Sequence, residues 1–420
     1  MPPGTRMRKL LVFLHRWFGL GVALFLFQAG LTGALIAWDH EIDGFLNPEL
    51  YDSQAPADAE LLSPLRLAEI VERDDPRVRV TFLPLAVEPG HALMMSVVPV
   101  KDPATGKPHE LDFDQVAVNP ATGEVQGRRK WGAISLSRQQ VMPFLYKLHY
   151  SLHIPDASGM AIGLWFMGLV AIVWFVDAFI ALWISFPNRK AWRKSLSFRF
   201  DKGGYRLNFD LHRSGGVWTW LLLMPLAFTA VSMNLSREVV RPVVSAFSTL
   251  SENPFAARTP KAEFAVPGLS RANAVEIGAA EGLRLELDRP LGGLFYSPEF
   301  DVFGVGFYQP GYDHGDGGLG NPWVYFDGQT GAPAGAELPG RGSAGDLFMQ
   351  LQFPLHSGRI LGVPGRVLIT LLALLVAMLS VTGVVIWAKK RRVRVLADAK
   401  EPRTERAQTS DIDIRPEPSA

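Results

Sequence analysis

Four apolar runs interrupt an otherwise mixed chain: Leu10–Trp38, Met160–Phe186, Val217–Leu235 and Val367–Trp387. A helix needs about 20 apolar residues to cross a bilayer, so the pattern predicts four membrane-spanning helices. Their flanks set a direction. "RMRK" precedes the first run, "PNRKAWRKSLSFRFDKGGYR" separates the second from the third, and "KKRRVR" follows the fourth, whereas the long segments 39–159 and 236–366 carry both signs of charge. An excess of Lys and Arg marks the cytoplasmic side. Both termini are therefore expected inside and both long segments outside, which in a bacterial inner membrane means the periplasm. The first run is longer than a signal-peptide core and lacks a clear small-residue cleavage site, so it reads as an uncleaved anchor.

The pattern in the external segments changes to short strands and amphipathic helices. "SPLRLAEIVERDDP" reads as a helix capped by Ser63, with Pro64 in its first turn, and "SRANAVEIGAAEG" as a second helix. "VRVTFLPL", "ALMMSVVPV", "GVGFYQPG" and "WVYFDG" read as strands. The plan repeats along the chain. "LHRWFGLG" around His15 matches "LHRSGGVW" around His212, "VAVNPATGEV" (116–125) matches "VYFDGQTGAP" (324–333), and "KLHYSLHIP" (147–155) matches "QLQFPLHSG" (350–358).

The expected organisation is a spanning helix over 10–38, an external α+β domain over 39–146, and a histidine-bearing segment with the second helix over 147–186. A basic cytoplasmic loop (187–209), the third helix (210–235), a second external domain (236–349), and a histidine segment with the fourth helix (350–388) follow, then a basic stop and tail (389–420). The tail beyond about Leu396 is polar and aperiodic and reads as disordered. The fold class is an α-helical membrane protein with four transmembrane helices, two small α+β external domains and an internal duplication. Its pseudo-twofold would run along the membrane normal, which puts shared sites between the halves.

Composition narrows the chemistry. The 420 residues contain no cysteine, which excludes disulfides, thiolate metal sites, iron–sulfur clusters and haem attached through Cys-x-x-Cys-His. A net charge of +1 gives no sign of a nucleic-acid partner. "GDGGLG" (315–320) has dinucleotide-site spelling but precedes a strand, and neither a Walker motif nor His-Glu-x-x-His occurs. Any electron donor would be a separate molecule.

Nine histidines remain to be placed. His91, His109 and His314 fall in the external domains and read as surface residues. The other six lie at membrane boundaries, where a polar ring is costly. His15 and His212 sit at the inner level. His40, about 37 Å further along a helix from His15, sits at the outer level with His149, His153 and His356. Paired imidazoles at one depth, on repeat-related helices, suit a b-type haem, which needs two axial nitrogens and an apolar slot. Gly19, Gly215 and Gly216, one turn beyond His15 and His212, would leave room for the ring. Arg16 and Arg213 would pair with haem propionates or snorkel to headgroups. Interfacial anchoring and bare metal transport are the competing readings, the second weakened by the lack of a chain of acids along the spans. Asp177, the one acid well inside a span, would relay protons or bond a neighbouring helix, the second being favoured. Glu41 and Asp43 are expected to cap the outer end of the first helix.

Taken together, "LHRWFGLGVALFLFQAGLTGALIAWDHEID", "LHYSLHIP", "FDLHRSGGVWTW", "PLHSGRILGVPGRVL" and "LSVTGVVIW" resemble the PepSY-associated transmembrane proteins, which include iron-regulated membrane proteins and ferric-siderophore reductases. The resemblance spans nearly the whole chain except the tail. It implies PepSY-like external domains, two bis-histidine b-type haems, and electron transfer from a cytoplasmic or quinol donor to a periplasmic ferric siderophore, releasing Fe(II). The family's ligand histidines fall on His15 with His212, and on His149 with His356. His153 is extra, although "LHYSLH" looks like the reductase branch. The repeat aligns either His149 or His153 with His356, and His149 is the expected ligand, with His153 close to haem or substrate. The rivals are a non-redox PepSY anchor that binds a peptide or peptidase, and a histidine-based metal permease.

Overall fold

The computed structural model describes residues 3–398, apart from 57, 89, 158, 202, 253, 256, 257, 262, 314 and 316. His314 and the expected disordered tail beyond 398 lie outside the described residues, and Ala397 and Asp398, at its start, are helical. Among the described residues, four helices are long and apolar enough to cross a membrane: within Arg6–Ile36, Ile162–Ser185, Gly204–Asn234 and Val363–Ala397. In chain order the helices are α1 (Pro3–Ile36), α2 (Asp39–Leu46), α3 (Pro48–Tyr51), α4 (Pro64–Asp74), α5 (Val141–Ser151), α6 (Ile162–Ser185), α7 (Trp192–Leu196), α8 (Gly204–Asn234), α9 (Arg241–Ser245), α10 (Arg271–Arg284), α11 (Ala344–Gln350), α12 (Gln352–Ser357) and α13 (Val363–Asp398). The long helices leave large apolar side chains uncovered, among them Leu24, Leu169, Leu221 and Leu371. Such continuous apolar surface suits lipid rather than water.

The strands are β1 (Val78–Pro84), β2 (Leu93–Pro99), β3 (Gln115–Val118), β4 (Val125–Arg129), β5 (Leu291–Ser297), β6 (Val302–Phe307), β7 (Trp323–Asp327) and β8 (Pro333–Glu337). The two long segments between the spans do not build separate sheets. They share one antiparallel sheet of order β4-β3-β2-β1-β5-β6-β7-β8. The join is β1 to β5, with Phe82 opposite Phe295 and Leu83 opposite Leu294. Each four-stranded meander would otherwise expose an edge of unpaired N–H and C=O groups, and the join satisfies both edges. β5 carries no strong strand signal because two glycines interrupt it. They are required: a Cβ at Gly292 would stand 2.5 Å from the Tyr308 ring.

Each meander has its own core. Leu67, Ala68 and Val71 of α4 pack with Val80, Met95 and Val116, below a cap made by the Ser63 hydroxyl accepting from the Arg66 N–H. Ala274 of α10 packs with Phe303, Val305 and Phe326. Ser270 caps α10 in the same way.

The chain divides into two compact units, each taking part of all four long helices. The first comprises 1–27, 176–221 and 376–420, the second 28–175 and 222–375. In the second, Glu41 and Asp43 do not cap α1. They lie in α2, where Asp43 is buried and accepts from Arg129 of β4, Tyr51 and Asn47. Glu41 accepts from Arg366 of α13, and that hydrogen bond holds its carboxyl below the usual range. Burial pushes the Tyr51 hydroxyl up.

Candidate functional site: two histidine pairs

In the first unit His15 of α1 faces His212 of α8, with ring centres 6.1 Å apart and ring planes at 44°. In the second unit His149 of α5 faces His356 of α12, at 6.3 Å and 58°. One metal held by a nitrogen from each ring, at about 2.0 Å per bond, would stand between ring centres about 6 Å apart. Both pairs stand at that separation. Among the described residues no group of three or more His, Cys, Asp or Glu is arranged to hold a metal ion. Each pair offers two imidazoles, the number of protein ligands that a bis-histidine haem would take.

All four rings are held through Nδ1. His149 Nδ1 lies 3.0 Å from the Thr32 hydroxyl, whose own proton goes to the Gln28 carbonyl at 2.9 Å. His356 Nδ1 lies 3.0 Å from the Thr229 hydroxyl, which donates to the Pro225 carbonyl at 2.8 Å. His212 Nδ1–H donates to the Leu379 carbonyl at 3.0 Å, beside the Thr382 hydroxyl at 3.1 Å, which donates to Met378. His15 Nδ1–H donates to the Asp177 carboxylate, 2.9 and 3.0 Å from its two oxygens. With Nδ1 protonated and engaged, Nε2 is the nitrogen left to ligate.

These partners come from the adjoining spanning helix of the same half of the sequence. α1 and α6 supply Thr32 and Asp177, and α8 and α13 supply Thr229 and Thr382. The threonines escaped the sequence reading. Their signal is a small residue after each: Thr32-Gly33, Thr229-Ala230 and Thr382-Gly383. The reason is steric, since a Cβ at Gly33 would stand 3.1 Å from His149 Cε1 and one at Gly383 would stand 2.9 Å from His212 Cε1.

The remaining residues fall as follows. Arg16 packs over Phe13 and Trp17, and its buried Nε has no hydrogen-bond partner. Arg213 lies over Phe209 and pairs with Asp210, and its Nε is likewise unsatisfied. A Cβ at Gly19 would meet nothing within 4 Å, and at Gly215 and Gly216 only the tips of Met378 and Leu379. His153 does not face His356. Its Nε2–H donates to the Phe144 carbonyl at 2.9 Å and its ring stacks on Phe144 at 4.6 Å, in a left-handed turn that ends α5. His40 meets Tyr51 edge-on and borders a cavity of about 410 Å³ that His91, Trp131 and Tyr146 also line. His109 lies between β2 and β3 and takes no part in either pair.

Long helices with uncovered apolar faces and inward-held histidine pairs define a multi-pass membrane protein. The chain belongs to the PepSY-associated transmembrane family: the family model, described as the PepSY-associated TM region, matches residues 12–390. A comparison with curated proteins finds no match.

Proposed function

We propose that this protein is a di-haem electron carrier of a bacterial inner membrane, and that it reduces periplasmic ferric siderophore with electrons from the cytoplasmic side. His15 with His212 and His149 with His356 would each hold one b-type haem. The supporting observation is the geometry of the two pairs: ring centres 6.1 and 6.3 Å apart, every Nδ1 engaged, every Nε2 left to ligate. The orphaned Nε groups of Arg16 and Arg213 suit carboxylate propionates, and the space at Gly19 suits a flat ring. Bound haem would supply reversible one-electron exchange between Fe(III) and Fe(II).

The protein's own groups bind, orient and exclude water. Threonine, carbonyl and carboxylate oxygens hold the rings at fixed tautomer. The net reaction takes one electron from a cytoplasmic or quinol donor and converts one chelated Fe(III) to Fe(II), which oxygen-donor chelators hold less tightly. No proton or covalent bond changes on the protein. The basic flanks support cytoplasmic termini, and the two meanders support PepSY-like periplasmic domains arising from a duplicated half.

A reduced-minus-oxidised spectrum of protein purified from haem-supplied cells tests the reading, with Soret and α bands expected at two haems per chain. His15→Ala should remove one haem. His149→Ala and His356→Ala should each remove the other, and His153→Ala neither. A featureless spectrum overturns the reading and leaves a peptide-binding anchor as the alternative.

A further inference from the structure

The four histidines are supported by one device with one exception. Three rings lean on a threonine hydroxyl or a helix carbonyl beside it: His149 on Thr32, His356 on Thr229, His212 on Thr382. All three threonines are buried and donate their own protons back along their helices to the carbonyl four residues earlier. Only His15 leans on a carboxylate. Asp177 is 7% exposed on the apolar helix α6, and both its oxygens lie within 3.0 Å of one nitrogen. A small residue, Ala178, follows it as one follows each threonine. Asp177 thus occupies the threonine's place in the same device.

The substitution is not needed for position. At His212, a hydroxyl and a carbonyl hold the ring at the same N···O distance, 3.0–3.1 Å against 2.9–3.0 Å. An acid inside a span is costly to place. What a carboxylate adds is charge. It draws the Nδ1 proton more strongly than a neutral acceptor does, which makes the opposite nitrogen a better electron donor to a bound metal. Electron donation stabilises the ferric over the ferrous state, so the site's reduction potential falls.

We propose that Asp177, acting through His15, is the positioning residue that sets the His15–His212 site at a lower potential than the His149–His356 site. This rests on the di-haem reading above. With the termini cytoplasmic, the low-potential site is the entry site, and the carboxylate makes transfer towards the outer site downhill.

Potentiometric titration of the purified, haem-loaded full chain, followed at the α band at fixed pH, tests this. Wild type should titrate in two separated steps. Asp177→Thr should keep two haems and raise only the lower midpoint, by about a tenfold or larger change in its reduction equilibrium, which is ~59 mV for one electron. Asp177→Asn should raise it too, and Asp177→Glu should preserve the low value. If Asp177→Thr loses a haem, Thr382→Asp carries the test: a carboxylate placed at His212, the other ligand of the pair, should lower the same midpoint. Two haems with midpoints unmoved by either change would overturn the role of Asp177 while leaving the di-haem reading intact. Absence of haem from wild type would overturn both.

Discussion

Gly33 and Gly383 show how little space separates a held imidazole from a displaced one. Each follows a threonine that supports a ring, and each would put a methyl group 3.1 or 2.9 Å from that ring's Cε1. At Gly383 the clash meets a ring whose Nδ1 is held by the Leu379 carbonyl and the Thr382 hydroxyl of the same helix, so moving away from the added methyl stretches those bonds. Gly383→Ala is expected to unseat His212 and leave about half the haem, read from the α-band absorbance per chain, with the protein still folded in detergent. Gly33→Ala is expected to do the same less completely, because 3.1 Å asks for a smaller shift. Neither effect is visible in the local sequence, where a glycine in an apolar run has several ordinary explanations. Of the glycines singled out from sequence, Gly19 faces open space, and a Cβ at Gly215 or Gly216 would make only an ordinary contact with Met378 or Leu379.

At the scale of elements, a buried ionic cluster ties α2 to the sheet. Arg129 and Asp43 are 6% and 5% exposed at their side chains, and Tyr51, Asn47 and Gln115 complete the hydrogen bonds. Removing one partner leaves the other's charge buried, which costs about 3–5 kcal/mol. Asp43→Asn is therefore expected to lower the thermal midpoint of the detergent-solubilised protein, followed by tryptophan fluorescence. Substitution at the exposed Arg66–Glu69 pair of α4 should leave it nearly unchanged. Where α1 ends and α13 begins, Arg366 reaches the Ala37 carbonyl and Glu41 and stacks over Trp38 at 4.4 Å. These bonds satisfy an open helix end where a spanning helix emerges. Reading Glu41 and Asp43 as caps places them near the right helix end but misses the arginines they pair with, Arg366 and Arg129, which come from 325 and 86 residues away.

At the scale of the whole molecule, orientation is the property that the proposed direction of electron flow depends on. The chain has no cysteine, so single-cysteine variants report it cleanly. A membrane-impermeant maleimide should label Thr105→Cys, in the exposed turn before β3, in intact spheroplasts. It should label Arg394→Cys, near the end of α13, only after the membrane is opened. The reverse pattern would invert the proposed donor and acceptor sides.

Spans, strands and caps were legible because each depends on neighbours in the chain. Apolar run length marks a spanning helix, alternation marks a strand, and Ser63 announces a helix start within three residues. The duplicated Leu-His-Arg stretches and the family motifs likewise singled out His15, His149, His212 and His356 before any fold was known. Three things waited for the tertiary structure: the single sheet joined at β1 and β5, the threonines behind the rings, and the carboxylate of Asp177 on His15. Each is a contact between residues far apart in sequence. Periodicity and composition carry no information about which distant groups meet, and only the packing of the helices and strands decides it.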